Sequence, residues 1–138
     1  MPIDKILIKE KLNKVNQYLE RIENMHFSED QFLENTDYQD LLTFRLQQAI
    51  ETCIDIATHI ISSLNLEKPE TARSSFEVLA KHKIITKDVA QSLTFAVSFR
   101  NLAVHGYEKF DFKRLFYDYK KDLVDLKRFI SVILNILK

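Results

Sequence analysis

Four polar residues gather around the single glycine of this chain: Arg100, Asn101 and His105 precede Gly106, and Tyr107 follows it. These types suit the cleavage of RNA without a metal. Such a reaction needs one group to take the 2′-hydroxyl proton, another to protonate the leaving 5′-oxygen, and a cation to face the charged pentavalent phosphorus. Histidine serves the proton steps and arginine the charge. Spacing imposes a condition, however. At about 100° per residue, Arg100 and His105 lie roughly 140° apart on an ideal helix, whereas Asn101 and His105 share a face, as do Arg100 and Tyr107 two turns apart. Either the helix ends before His105, or the site forms where two copies meet. Two-fold pairing would bring two histidines together, one as base and the other as acid. By spacing alone a plainer reading stands beside this one, in which His105 and Tyr107 close a helix end and Arg100 is a surface or ion-paired residue.

The elements that must hold these residues read as helices. Leu12, Val15, Leu19 and Ile22 recur at spacings of three and four, predicting a helix from about Asp4 to Asn24. Ser28 with Gln31, and Thr36 with Gln39, have capping-box spacing: the first opens a short helical turn, the second the longest helix, from about Asp37 to Leu64. On that helix Leu46, Ile50, Cys53, Ala57, Ile60 and Leu64 form one stripe, which Ile54 and Ile61 widen beyond what a single neighbour requires. It is expected to be central. Pro69 suits a first helical position before a helix of about Thr71–His82, and Thr86 caps one reaching roughly Val104. Gly106 stands where that helix should stop, a position that often needs a left-handed backbone. A last helix, about Asp111 to Leu137, repeats the pattern through Leu123, Leu126, Ile130, Ile133 and Leu137. Five helices without a strand predict an all-α antiparallel bundle.

Composition agrees. One glycine and two prolines in 138 residues leave little punctuation for sheets and hairpins, and exclude dinucleotide fingerprints and phosphate-binding P-loops, which need several glycines. The length suits one domain over residues 1–138. Twenty basic and twenty acidic residues cancel, so any nucleic-acid site is local and shaped rather than a general polyanion-coating surface. Cys53, the single cysteine, reads as a buried, inert thiol, and one cysteine supports neither an internal disulfide nor a cysteine-based zinc site. Charges scattered through the first helix speak against a signal peptide, and no run approaches the roughly 20 apolar residues of a membrane span. The expected compartment is the cytoplasm, with no membrane partner.

Other residues carry weaker signals. Glu51, Asp55 and His59 are spaced by four on one face of the long helix, a pattern compatible with a metal but read more readily as a solvated or dimer-facing polar stripe. No metal site is assigned. His26 and His82 stand near helix ends and receive no role. Phe110, Phe112, Phe116, Tyr117 and Tyr119 follow the cluster amid Lys109, Lys113 and Arg114. Packing accounts for most of these aromatics, while Lys113 and Arg114 are kept as candidate RNA phosphate contacts.

Arg, four residues, His, one residue, Tyr resembles the signature of the HepT-like branch of the HEPN superfamily, here Arg100-Asn101-Leu102-Ala103-Val104-His105-Gly106-Tyr107. The segment from Arg45 to His59 is similar to that family's long second helix, so the resemblance covers most of the chain in order. Where the family often has an acidic residue, this chain has Gly106. The resemblance implies a HEPN-type bundle and a toxin that cleaves RNA as a homodimer, without metal or cofactor, with Arg100 and His105 facing across the interface and Asn101 in support. It also implies a nucleotidyltransferase antitoxin of the MntA type that transfers AMP to Tyr107. The alternative on the same fold is a non-catalytic helical module that binds a nucleotidyltransferase or a nucleotide. The paired Arg and His favour the enzyme, and the neutral overall charge favours the module.

Overall fold

Each helix begins where a short polar side chain can accept a free backbone N–H. In the computed structural model, which describes residues 2–106 and 110–138, Asp4 caps α1 (Lys5–Glu23), Ser28 caps α2 (Glu29–Glu34) and Asn35 caps α3 (Thr36–Ser63). Thr71 caps α4 (Ala72–Lys81), Thr86 caps α5 (Lys87–His105) and Asp111 caps α6 (Phe112–Ile136). These are six helices among the described residues, one more than expected, because the Ser28 turn closes into a helix of its own with a complete capping box.

Three local expectations are corrected. Thr36 does not cap α3: the Asn35 side chain accepts from Asp37 and Tyr38, and Gln39 turns back to donate to the Phe32 and Leu33 carbonyls at the end of α2. The amide thereby ties two helices instead of closing a box. Pro69 lies ahead of α4, and Thr71 pairs reciprocally with Ser74 to open it. Gly106 is not left-handed, with φ −133° and ψ 28°. The positive-φ residues are Asn65 and Lys83, just past the ends of α3 and α4.

The 28-residue α3 is the axis, in contact with each of the other five helices. Its broad apolar face is consumed within the chain: Leu42, Leu46, Ala49, Ile50, Cys53, Ile56, Ala57, Ile60 and Ile61 are all buried. That face therefore supplies no argument for a dimer. Around it pack the α1 stripe Ile8, Leu12, Val15, Leu19 and Ile22, Phe32 of α2, Phe76 and Leu79 of α4, and the inner faces of α5 and α6. Phe76 meets Phe129 edge to face at 5.5 Å, so α4 and α6 are joined across the core by an aromatic pair. Burial removes the Cys53 thiol from solvent and pushes its pKa well up, which makes it inert.

Candidate active site

α5 positions the cluster by burying one face and leaving another bare. Val89, Ala90, Leu93, Ala96, Val97 and Ala103 face the core, and in the last turn only Ala103 remains buried. The helix runs unbroken to His105, and the Gly106 N–H still donates to the Leu102 carbonyl at 2.8 Å. The first of the two ways to bring Arg100 to His105, an early helix end, is thereby removed. The 140° divergence persists in the folded chain.

On one side of α5, Ser98, Asn101, Leu102, His105 and Gly106 line an open cleft of about 540 Å³, and Arg73 reaches into it from the first turn of α4. Asn101 and His105 are exposed there, at the spacing that puts them on one face. On the other side, Arg100 is turned toward α3: its Nε lies 3.0 Å from Oε1 of Glu51, and its side chain is 18% exposed. The pair is an ion contact without hydrogen-bond alignment, which leaves the buried Nε short of a directed acceptor. The structure thus joins Asn101 with His105, and separates both from Arg100.

The remaining candidates fall elsewhere. Asp55 is paired with Lys11 and lies 3.9 Å from His59, so the Glu51–Asp55–His59 stripe is engaged by cations within the chain. Among the described residues no three His, Cys, Asp or Glu side chains gather as a metal would require. Lys113 lies 4.0 Å from Glu29, and Arg114 lies 3.4 Å from Asp118; both are exposed on the first turn of α6 and outside the cleft lining. Of the aromatics after the motif, Phe110 packs on Phe99, Phe112 and Phe116 on Phe32, and Tyr119 on Phe27, while Tyr117 stays 61% exposed. This aromatic chain fixes the start of α6 against α2 and α5. Tyr107 lies outside the described residues. His82 meets Glu67 together with Lys81, hydrogen bonds that hold the Glu67 carboxyl down at about 2, and His26 borders a separate depression between α1 and α6.

Sequence reasoning missed Arg73 and Ser98. No periodicity links them, since they sit on different helices and meet only when α4 packs on α5. Their Nη2 to Oγ hydrogen bond measures 2.6 Å.

The fold is an all-helical bundle with a histidine on an exposed helix end, beside a cleft that holds a guanidinium. The match to known proteins is specific: residues 15–133 fit the family model described as "Ribonuclease HepT-like", and the chain belongs to that family. It is 32% identical over 127 residues to an mRNA nuclease HepT of Shewanella oneidensis, covering 92% of this chain and 96% of that one. It is likewise 32% identical over 116 residues to a tRNA nuclease HepT of Aphanizomenon flos-aquae, covering 83% and 78%. Among solved structures it superposes with a TM-score of 0.88, at 32% identity and over 98% of this chain and 99% of the other, on a tri-AMPylated Shewanella oneidensis HEPN toxin in complex with MNT antitoxin.

Proposed function

We propose that this chain, as one HEPN-like domain, is the cytoplasmic toxin of a HEPN–nucleotidyltransferase toxin–antitoxin pair: a homodimeric endoribonuclease that needs no metal and is silenced by AMP on Tyr107. The observation that carries this reading is the exposed Asn101–His105 face at the end of α5, in a chain whose family is one of ribonucleases. His105 serves the proton transfers and Arg100 the phosphoryl charge. Because α5 stays helical through His105, the two meet productively only if a second copy supplies one of them. Two exposed apolar residues, Phe95 and Leu102, lie two turns apart on α5 and offer such a copy a surface. Lys113 and Arg114 are free enough of their partners at 3.4–4.0 Å to swing onto flanking phosphates.

Silencing follows from position. The Tyr107 phenolic oxygen attacks the α-phosphorus of ATP, pyrophosphate leaves, and the adduct sets a bulky anion two residues from His105. Substrate is then excluded by volume and repelled by like charge. The partner that performs the transfer is an MntA-type nucleotidyltransferase.

The Arg100–Glu51 pair favours a second reading, a non-catalytic module, because within one chain the cation is already neutralised. One experiment separates them. The purified chain, shown by light scattering to be a dimer, is incubated with RNA in excess chelator, before and after treatment with an MntA-type nucleotidyltransferase and ATP. The enzyme cuts RNA before treatment and gains AMP mass while losing activity afterwards, and Tyr107→Phe escapes both changes. A dimer that leaves RNA intact establishes the module instead.

A further inference from the structure

Among the described residues, the cation that shares a cleft with His105 is not Arg100 but Arg73. Along α5, Ser98, Asn101, Leu102 and His105 follow at spacings of three, one and three, a single helical face, and Arg73 of α4 lies against it. Its placement is built rather than incidental. The Ser98 hydroxyl donates its proton to the Thr94 carbonyl at 3.1 Å, which leaves the Oγ lone pairs free to accept Arg73 Nη2 at 2.6 Å. That bond occupies one of the five guanidinium donors. Among the described residues no carboxylate pairs with Arg73, in contrast to Arg100 with Glu51, Arg114 with Asp118 and Lys113 with Glu29. A guanidinium oriented by a hydroxyl, open to a cleft and paired with no carboxylate among the described residues, is suited to a phosphate, which it can grip with two parallel donors.

We infer that Arg73 is a further substrate contact, binding a backbone phosphate of the RNA strand next to the bond that His105 attacks. The inference rests on the ribonuclease reading for its substrate. Asn101 and His105 line the same cleft, so a phosphate held by Arg73 sits on the His105 side of α5, where Arg100 of the same chain does not reach. Arg73 is thus a binding and positioning cation, and Arg100 remains the charge stabiliser brought in across the interface.

The probe is a single-stranded RNA methylated at every 2′-oxygen, which binds but cannot be cut because the attacking hydroxyl is capped. Its Kd is measured by fluorescence anisotropy at several salt concentrations for the wild type, Arg73→Gln, Arg73→Ala and Arg73→Lys. Arg73→Gln keeps a donor for Ser98 and removes the charge, so a merely structural arginine would tolerate it. Loss of the phosphate contact weakens binding about tenfold in Gln and Ala and lowers the slope of log K against log salt by about 0.7. Arg73→Lys keeps the slope and recovers part of the affinity, since an ammonium binds phosphate as a point charge without the fork. With unmodified RNA the neutral variants raise KM far more than they lower kcat, as expected for uniform binding. A folded Arg73→Gln with wild-type Kd, salt slope and KM, in a chain that cuts RNA, overturns the contact and leaves the ribonuclease standing. Arg73-dependent binding by a chain that never cuts overturns the ribonuclease and leaves the contact.

Discussion

α3 and α5 each present a polar stripe at helical spacing, and the bundle treats the two in opposite ways. On α3, Glu51 and Asp55 are answered from within the chain, by Arg100 and Lys11. On α5, Asn101 and His105 face an open cleft lined by Arg73, a cation held by a serine rather than an acid among the described residues. The same kind of pattern is therefore structural on one helix and available for chemistry on the other. What decides between them is the packing neighbour. α3 is ringed by five helices, which can supply counter-charges, whereas the last turn of α5 projects past the core with only Ala103 buried.

The largest break in this comparison comes from His105→Ala. Removing the proposed proton-transfer group should cut RNA cleavage by about 10²–10⁴-fold, read as initial rate in excess chelator, while the melting temperature and the proposed dimer stay unchanged because the side chain is exposed. A folded variant with wild-type cleavage would show the α5 stripe to be as structural as that of α3.

Next in size is Glu51→Ala. It leaves the mostly buried Arg100 guanidinium without a carboxylate, at a cost of about 1–2 kcal/mol in chemical unfolding. An unchanged midpoint would mean that the Arg100 charge is solvated after all. The comparison then sharpens on a third helix, where Asp118, Asp122 and Asp125 of α6 share a face: Arg114 pairs with Asp118 and Lys121 with Asp125, while no ion pair among the described residues reaches Asp122. Burial, followed by the repulsion of Asp125 and Asp118, raises the Asp122 carboxyl from 3.8 to about 7. The folded state therefore keeps a proton that the unfolded chain has released, so the Asp122 contribution to stability is greatest at low pH and falls as pH rises from about 4 to about 7. Asp122→Asn should flatten that slope and gain on the order of 1 kcal/mol at pH 8. A difference in stability between parent and Asp122→Asn that does not change across that window would refute it. The smallest effect belongs to Asp55→Ala: its pair with Lys11 is partly exposed, and its loss should cost less than about 0.5 kcal/mol by double-mutant cycle.

Helix placement was legible because it depends on local chemistry. Asp4, Ser28, Thr71, Thr86 and Asp111 each stand one residue ahead of a helix, and the α1 stripe Leu12, Val15, Leu19 and Ile22 is buried as its spacing requires. The exceptions arose where a side chain had a better partner than its own turn. Gln39 reached the carbonyls of α2 rather than closing a box on Thr36, and Gly106 kept a negative φ while Asn65 and Lys83 took the left-handed positions.

The candidate site divides along the same line. The sequence by itself determined that Asn101 and His105 share a face and that Arg100 does not, since both statements follow from 100° per residue on one helix. The resemblance of eight consecutive residues, Arg100 to Tyr107, also pointed to the family whose model residues 15–133 match. Only the tertiary structure decided which cation stands beside His105 and which is neutralised. Arg73 meets Ser98, and Arg100 meets Glu51, by the packing of α4 and α3 on α5. Contacts between helices depend on the register at which their surfaces interlock, and no periodicity within a single helix carries that register.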